Sequence, residues 1–126
     1  MKAKRILVID DEVTVTRTMK VLLERSGNYL VRTENEAAQA LTAAREFRPD
    51  LILLDVMMPE MIGGAVAAQI HKDGALKHVP IVFLTAIVSK EEAGEEGIEV
   101  GGQIFLAKPA NLTALVKCIE ENTRSD

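Results

Sequence analysis

The chain is poor in the residue types on which several protein classes depend. Its single cysteine, Cys118, excludes an internal disulfide framework and a zinc cluster built from several cysteines. Tryptophan is absent and aromatic residues make up only 3% of the chain, too few for a surface that stacks nucleic-acid bases. No apolar run approaches the roughly 20 residues that cross a bilayer. These absences favour a small globular domain.

Length and charge narrow the class further. The 126 residues favour one domain, since most domains have about 100–150 residues. Fifteen lysines and arginines against 19 aspartates and glutamates give a net charge of −4, which disfavours direct binding of nucleic acid or an anionic membrane. The apolar run near the N-terminus, Ile6–Ile9, is too short for a signal-peptide core. We therefore expect a cytoplasmic protein without membrane insertion.

Short apolar runs alternate with helix-length segments along the chain. Runs that are apolar on both faces are typical of parallel strands covered by helices on both sides. The four clear strands, followed by a more polar fifth, are Ile6–Ile9, Leu51–Leu54, Pro80–Leu84, Gln103–Ala107 and Tyr29–Thr33. This alternation predicts an α/β fold with a doubly wound, five-stranded parallel sheet.

Four of the intervening segments carry apolar residues at helical spacing, and they are Glu12–Arg25, Glu36–Phe47, Gly63–Asp73 and Asn111–Glu121. We expect Gly27 to end the first helix, the residue before Pro49 to end the second, and Asn111 to cap the last. A further helix is predicted within Ser89–Gly102. It should be short, irregular or mobile, because that segment holds five glutamates and four glycines.

Polar residues follow four of the predicted strands, where an open α/β sheet binds its ligands. They are Asp10 and Asp11, then Asp55, Thr85 and Lys108. Clustered carboxylates are natural ligands of Mg²⁺, and a lysine and a hydroxyl beside them suit phosphoryl oxygens. A carboxylate can itself accept a phosphoryl group. Each residue alone has a structural explanation, such as a helix cap, so this prediction depends on their joint occurrence.

The chain resembles the receiver domain of bacterial two-component response regulators over nearly its whole length. The motifs that carry the resemblance are Ile6–Glu12, Pro49–Pro59, Leu84–Ala86 and Lys108–Pro109. Each motif is weak alone, but together, in order and at strand ends, they are specific. The resemblance implies a flavodoxin-like sheet with strand order 2-1-3-4-5 and helices on both faces. It assigns residues 1–122 to the receiver domain and 123–126 to a short C-terminal tail.

The resemblance also implies roles for the strand-end residues. Asp55 would accept a phosphoryl group from a sensor histidine kinase or a histidine phosphotransfer protein. Asp11, Asp55 and the main-chain carbonyl of Met57 would coordinate Mg²⁺, and Asp10 would act through a metal-bound water. Lys108 would pair with the phosphoryl group.

Signalling would follow from movement of two further residues. The resemblance implies that Thr85 moves toward the phosphoryl group and that Phe105, at the family's switch position, moves inward with it. The output would be a change of the domain's own surface, read by a downstream protein target, with a weak homodimer as a further option.

Two departures from the family pattern lie close to the site residues Asp55 and Thr85. The loop that follows Asp55 reads Pro59-Glu60-Met61-Ile62-Gly63 where the family commonly has Pro-Gly-Met-Asp-Gly. In addition Met57 and Ile87, each two residues beyond a site residue, are apolar. We expect them to position an attacking water poorly and so to slow self-dephosphorylation.

Two other functions remain as alternatives. A Mg²⁺-dependent phosphatase with an aspartate nucleophile is disfavoured, since the haloacid-dehalogenase type needs Asp-x-Asp after one strand and a cap domain. A receiver-like interaction module that acts without phosphorylation is disfavoured because the acidic and lysine positions are all present. The preferred interpretation is a switch that catalyses its own phosphorylation and slow dephosphorylation, and is not a turnover enzyme.

Overall fold

The computed structural model describes residues 3–59, 61–85, 98–100, 103–108 and 111–123. Its strands are β1 (Lys4–Ile9), β2 (Tyr29–Glu34), β3 (Leu51–Asp55), β4 (Ile81–Thr85), β5 (Ile98–Val100) and β6 (Gln103–Ala107). Its α-helices are α1 (Val13–Arg25), α2 (Ala40–Phe47), α3 (Gly63–Lys72) and α4 (Leu112–Asn122), and a short 3₁₀ helix, Ala37–Gln39, leads into α2. The strands and helices therefore alternate through most of the described chain, as predicted.

Five strands form a parallel sheet in the order β2-β1-β3-β4-β6. Because β6 is the fifth parallel strand along the chain, this arrangement confirms the predicted order 2-1-3-4-5. Apolar residues on both faces of the central strands drive this packing, since such strands need cover on both sides.

One strand was not predicted. Residues 98–100 form β5, which pairs antiparallel with β6 and places Ile98 opposite Phe105. Residues 98–100 are therefore not part of the short helix predicted within Ser89–Gly102, and the rest of that segment lies outside the described residues. The sequence held a signal for β5, because the two residues between the strands are Gly101 and Gly102, a typical pair for a two-residue hairpin.

The core lies in two layers, one on each face of the sheet. Leu7 and Ile9 of β1 face the layer that contains α2 and α3, whereas Ile6 and Val8 face the layer that contains α1 and α4. All four side chains are fully buried. Helices therefore cover both faces, as predicted. Cys118 is buried in the second layer, where burial raises its thiol pKa to about 11 and keeps the thiol protonated.

The predicted helix ends are also found. Gly27 follows α1 with a φ of 91°, a left-handed conformation that glycine adopts without strain. Arg48, which precedes a proline, ends α2 in the same region with a φ of 53°. The Asn111 side chain accepts a hydrogen bond from the Ala114 N–H at 2.8 Å and caps α4. Among the described residues, no helix has the length and apolar character that a membrane span requires.

Candidate functional site

Three carboxylates meet at the end of the sheet where β1 and β3 finish. These strands are neighbours, with Ile9 aligned to Leu54, so the residues at their ends come together. One carboxylate oxygen from each of Asp10, Asp11 and Asp55 lies within 4.8 Å of the others. Asp10 and Asp55 are buried, and Asp11 is the most accessible of the three. The structure thus brings together the acidic residues that the strand-end rule selected.

Lys108, directly after β6, supplies the positive charge of the site. Its Nζ donates to Asp10 Oδ2 at 2.8 Å and to Asp55 Oδ1 at 3.4 Å, and it lies 3.6 Å from Glu12 Oε1. The backbone N–H of Lys108 donates to the carbonyl oxygen of Thr85 at 2.9 Å, which fixes where the side chain starts. Three carboxylates, those of Asp10, Asp55 and Glu12, therefore share the Lys108 ammonium.

The electrostatics of the site follow from burial and from this excess of carboxylates. Burial, and then the neighbouring Asp10 carboxylate, raise the pKa of Asp55, and the Lys108 ammonium and the Met57 N–H only partly offset them. Burial would lower the pKa of Lys108, but hydrogen bonds and attraction from Asp10 and Asp55 outweigh it and raise that pKa. Lys108 therefore stays charged, whereas the ionised form of Asp55 has too little positive charge nearby to offset its burial and the Asp10 carboxylate.

The donor set suits a hard divalent cation. Magnesium prefers oxygen ligands, commonly one or two carboxylates together with waters and a phosphate. The Asp11 carboxylate is the most accessible of the three and gives the cluster a side that faces solvent. The residues present therefore fit Mg²⁺.

Thr85, Phe83 and Phe105 lie on the same face of the sheet. Thr85 is buried at the end of β4, and Phe83 lies two residues earlier on the same strand. Phe105 is half-buried and aligned with Phe83, and their rings stack with centroids 5.3 Å apart. The two stacked rings therefore lie two residues from Thr85 along β4.

The loop after Asp55 has an exposed apolar side and a tightly packed backbone. The Met57 side chain is 64% exposed and Ile62 is 59% exposed. At Gly63 the N–H donates to the Val56 carbonyl at 2.8 Å, and a Cβ atom there would collide with the carbonyl oxygen of Asp55. Only glycine lets the start of α3 approach the residue that carries the buried carboxylate. Glu60 lies outside the described residues.

Asn35 also contacts the site, although the sequence patterns above did not predict it. Its Nδ2 donates to the carbonyl oxygen of Asp10 at 2.8 Å and to Thr16 Oγ1 at 2.9 Å. Asn35 follows β2, so the rule that selected the other residues, applied to this strand, would have found it. That strand was predicted to end at Thr33 and ends at Glu34.

Comparisons with known proteins agree with this geometry. The family model for the response regulator receiver domain matches residues 6–120. The polar-differentiation response regulator DivK of Brucella anthropi is 34% identical over 118 residues, 93% of this chain and 94% of that protein.

Solved structures give the same result. The chemotaxis response regulator CheY4 of Vibrio cholerae superimposes with a TM-score of 0.80 at 30% identity, covering 96% of this chain and 99% of that one. The receiver domain of the sensor histidine kinase PA1611 of Pseudomonas aeruginosa has a TM-score of 0.77 at 25% identity, covering 96% and 98%. That structure has a magnesium ion coordinated in its active-site cleft. By sequence, fold and the grouping of its strand-end residues, the chain belongs to the response regulator receiver domain family.

Proposed function

We propose that the chain is a phosphorylation-dependent signalling switch in which Asp55 accepts a phosphoryl group. The donor is the phosphohistidine of a sensor histidine kinase or of a histidine phosphotransfer protein. The observation that supports this most directly is the setting of Asp55, buried beside Asp10 and within 3.4 Å of the Lys108 ammonium. A nucleophilic carboxylate with adjacent positive charge is what phosphoryl transfer requires.

The transfer is a displacement at phosphorus. A carboxylate oxygen of Asp55 forms the new P–O bond while the P–N bond to the donor histidine breaks, and the electron pair returns to the imidazole. Lys108 pairs with a phosphoryl oxygen. Asp11, Asp55 and the Met57 carbonyl would hold Mg²⁺, with Asp10 acting through a bound water, and the ion would offset charge on the phosphoryl oxygens. The product is an acyl phosphate on Asp55.

The signal is a rearrangement at the sheet end. The phosphoryl group attracts the Thr85 hydroxyl, and the stacked pair of Phe83 and Phe105 allows Phe105 to follow inward. The changed surface is read by a downstream protein target or by a second copy of the chain. In this role the protein catalyses its own phosphorylation and slow dephosphorylation, and it is not a turnover enzyme.

Incubation with acetyl phosphate and Mg²⁺, followed by intact-mass measurement, tests the proposal. We expect a stable gain of one phosphoryl group in the natural chain and in Asp73→Asn, but none in Asp55→Asn. Asp73 is a matched control because it is an aspartate paired with a cation, Arg45, away from the acidic cluster. Steady release of phosphate would indicate a phosphatase instead, and absence of labelling an interaction module that works without phosphate.

The lifetime of the acyl phosphate gives a second test. Met57 is two residues from Asp55 and exposed, and its thioether is only a weak acceptor with no proton to donate, so it orients an attacking water poorly. We expect Met57→Asn to lose the phosphoryl group faster than the natural chain. Leu30→Asn, a change of the same kind at an exposed position on β2, should leave the decay unchanged. Equal decay in all three proteins would contradict this role of Met57.

A further inference from the structure

We propose that Asn35 is a positioning residue for the cation site. Its side-chain amide holds the turn between β1 and α1, and with it Asp10 and Asp11, in the arrangement that binds a divalent cation. This inference rests on the proposed function to the extent that it assumes Mg²⁺ binding at the acidic cluster.

The end of β2 fixes the backbone of Asp10 on both sides. The Asp10 N–H donates to the carbonyl oxygen of Glu34 at 3.1 Å, and the Asp10 carbonyl oxygen accepts from Asn35 Nδ2 at 2.8 Å. Its carboxylate is held separately, since Oδ1 accepts from the Glu12 N–H at 2.9 Å and Oδ2 from Lys108. All four polar atoms of this fully buried aspartate therefore have partners, and Asn35 supplies one of them.

The second contact of Asn35 links the same turn to α1. Its Nδ2 also donates to Thr16 Oγ1 at 2.9 Å, and the Thr16 hydroxyl donates to the Val13 carbonyl at 3.1 Å. The Asp10 carbonyl oxygen can only accept a hydrogen bond, and the Thr16 hydroxyl already donates its one proton to the Val13 carbonyl. Both contacts therefore need a hydrogen-bond donor at position 35. An amide provides two protons from one nitrogen, which aspartate, serine or alanine cannot do.

The position of Asp11 depends on this anchor. The carbonyl that Asn35 holds belongs to the peptide group that joins Asp10 to Asp11, so it sets where the Asp11 side chain begins. Within the described part of the chain the Asp11 carboxylate has no hydrogen bond or ion pair of its own. Because the neighbouring carboxylates repel it, an unanchored turn would relax and spread the ligand atoms apart.

Isothermal titration with Mg²⁺ alone tests the role of Asn35 directly. Loss of a residue that orients metal ligands typically weakens metal affinity by about 10–100-fold, so we expect Asn35→Ala to bind Mg²⁺ at least about tenfold more weakly. Thr16→Val removes one of the two acceptors and should weaken binding less, whereas Thr16→Ser keeps the hydroxyl and should restore natural affinity. Tyr29→Phe is the matched control, since it removes a hydrogen bond to Glu120 at the other end of β2.

A second measurement separates positioning from general damage. With acetyl phosphate as donor, Asn35→Ala should need more Mg²⁺ for half-maximal labelling yet approach the natural rate at saturating Mg²⁺. Equal Mg²⁺ affinity of Asn35→Ala and the natural chain would overturn the role of Asn35. If Asn35→Ala does not fold, equal affinity of Thr16→Val and Thr16→Ser would overturn it instead. Failure of the natural chain to bind Mg²⁺ would contradict the proposed function itself.

Discussion

The two ends of the parallel sheet carry charged groups in opposite arrangements. At the carboxyl end, where β1 and β3 finish, the carboxylates of Asp10, Asp55 and Glu12 share the Lys108 ammonium. The Asp11 carboxylate lies beside them and has no ion pair of its own among the described residues. At the amino end, where β1 and β2 begin, charges are matched. There the Glu120 carboxylate accepts from Lys4 Nζ at 3.0 Å and from the Tyr29 hydroxyl at 2.7 Å.

The carboxyl pKa values report this difference. Burial and the Asp10 charge raise the pKa of Asp55, so its ionised form is disfavoured in the folded protein. Hydrogen bonds from Tyr29 and Lys4 lower the pKa of Glu120, so its ionised form is favoured. The amino end therefore stabilises the fold, whereas the carboxyl end retains an unfavourable charge that a bound cation would relieve. Such an imbalance is typical of functional sites.

Replacement of the lysine at each end should give the largest change in unfolding free energy, and the two changes should differ. Lys108→Met leaves two buried carboxylates without their cation and should cost about 3 kcal/mol of unfolding free energy without divalent cations. Lys4→Met breaks a part-exposed pair and should cost less than about 1 kcal/mol. Urea unfolding followed by circular dichroism measures both.

Adding Mg²⁺ should change the stability of the two lysine variants differently. It should restore part of the stability of Lys108→Met, because the ion replaces the missing charge, and should leave Lys4→Met unchanged. Equal losses in the two variants, or equal responses to Mg²⁺, would contradict the contrast between the ends.

The next largest difference in stability is expected between alanine substitutions of two glycines, Gly63 at the carboxyl end and Gly74 at the amino end. Gly63→Ala places a methyl group against the Asp55 carbonyl, a backbone atom that cannot give way cheaply, and should cost about 2 kcal/mol. Gly74, in the turn after α3, has open space around the same position, so Gly74→Ala should stay within about 0.5 kcal/mol of the natural chain. Thermal unfolding of the two variants checks this, and a mild effect at Gly63 would show that the loop can shift.

Neutralising one carboxylate at each end should shift stability by smaller amounts and in opposite directions. Near neutral pH without divalent cations, Asp55→Asn should stabilise the fold by about 1 kcal/mol, because it removes a buried charge next to Asp10. Glu120→Gln should destabilise it by a few tenths of a kcal/mol, since that side chain is half exposed and its interactions are screened. Urea unfolding at one pH gives the sign of each change in stability. If Glu120→Gln also stabilised the fold, the predicted difference between the two ends would be wrong.

The sequence sufficed for the carboxyl end because that end follows a rule. Parallel strands finish at one edge, so Asp10, Asp55 and Lys108 could be grouped from strand positions alone. The runs that are apolar on both faces indicated a parallel sheet covered by helices, whereas the strand order came from the resemblance to receiver domains.

What the sequence could not supply depends on contacts between distant residues or on weak local patterns. The Lys4–Glu120 pair joins residues 116 positions apart, and nothing near either one indicates the other. β5 has only three residues within a glutamate- and glycine-rich segment, so its alternation was too short to compete with a helix prediction. Asn35 was missed because β2 is the most polar parallel strand and its end was placed one residue early.

The smallest expected effect is the pH dependence of the two ends, which carbon-detected NMR of the carboxyl groups can follow. Asp55 should titrate above its ordinary pKa of 3.8, so its ionisation costs stability as the pH rises from 3.8 through its raised pKa. Glu120 should titrate below 4.5, so its contribution is present above that pH and is lost as the pH falls through its lowered pKa. Saturating Mg²⁺ should lower the midpoint of Asp55 and leave that of Glu120 in place. If both midpoints moved together, the ion would be acting on the whole surface, and the carboxyl end would have no special deficit of positive charge for it to relieve.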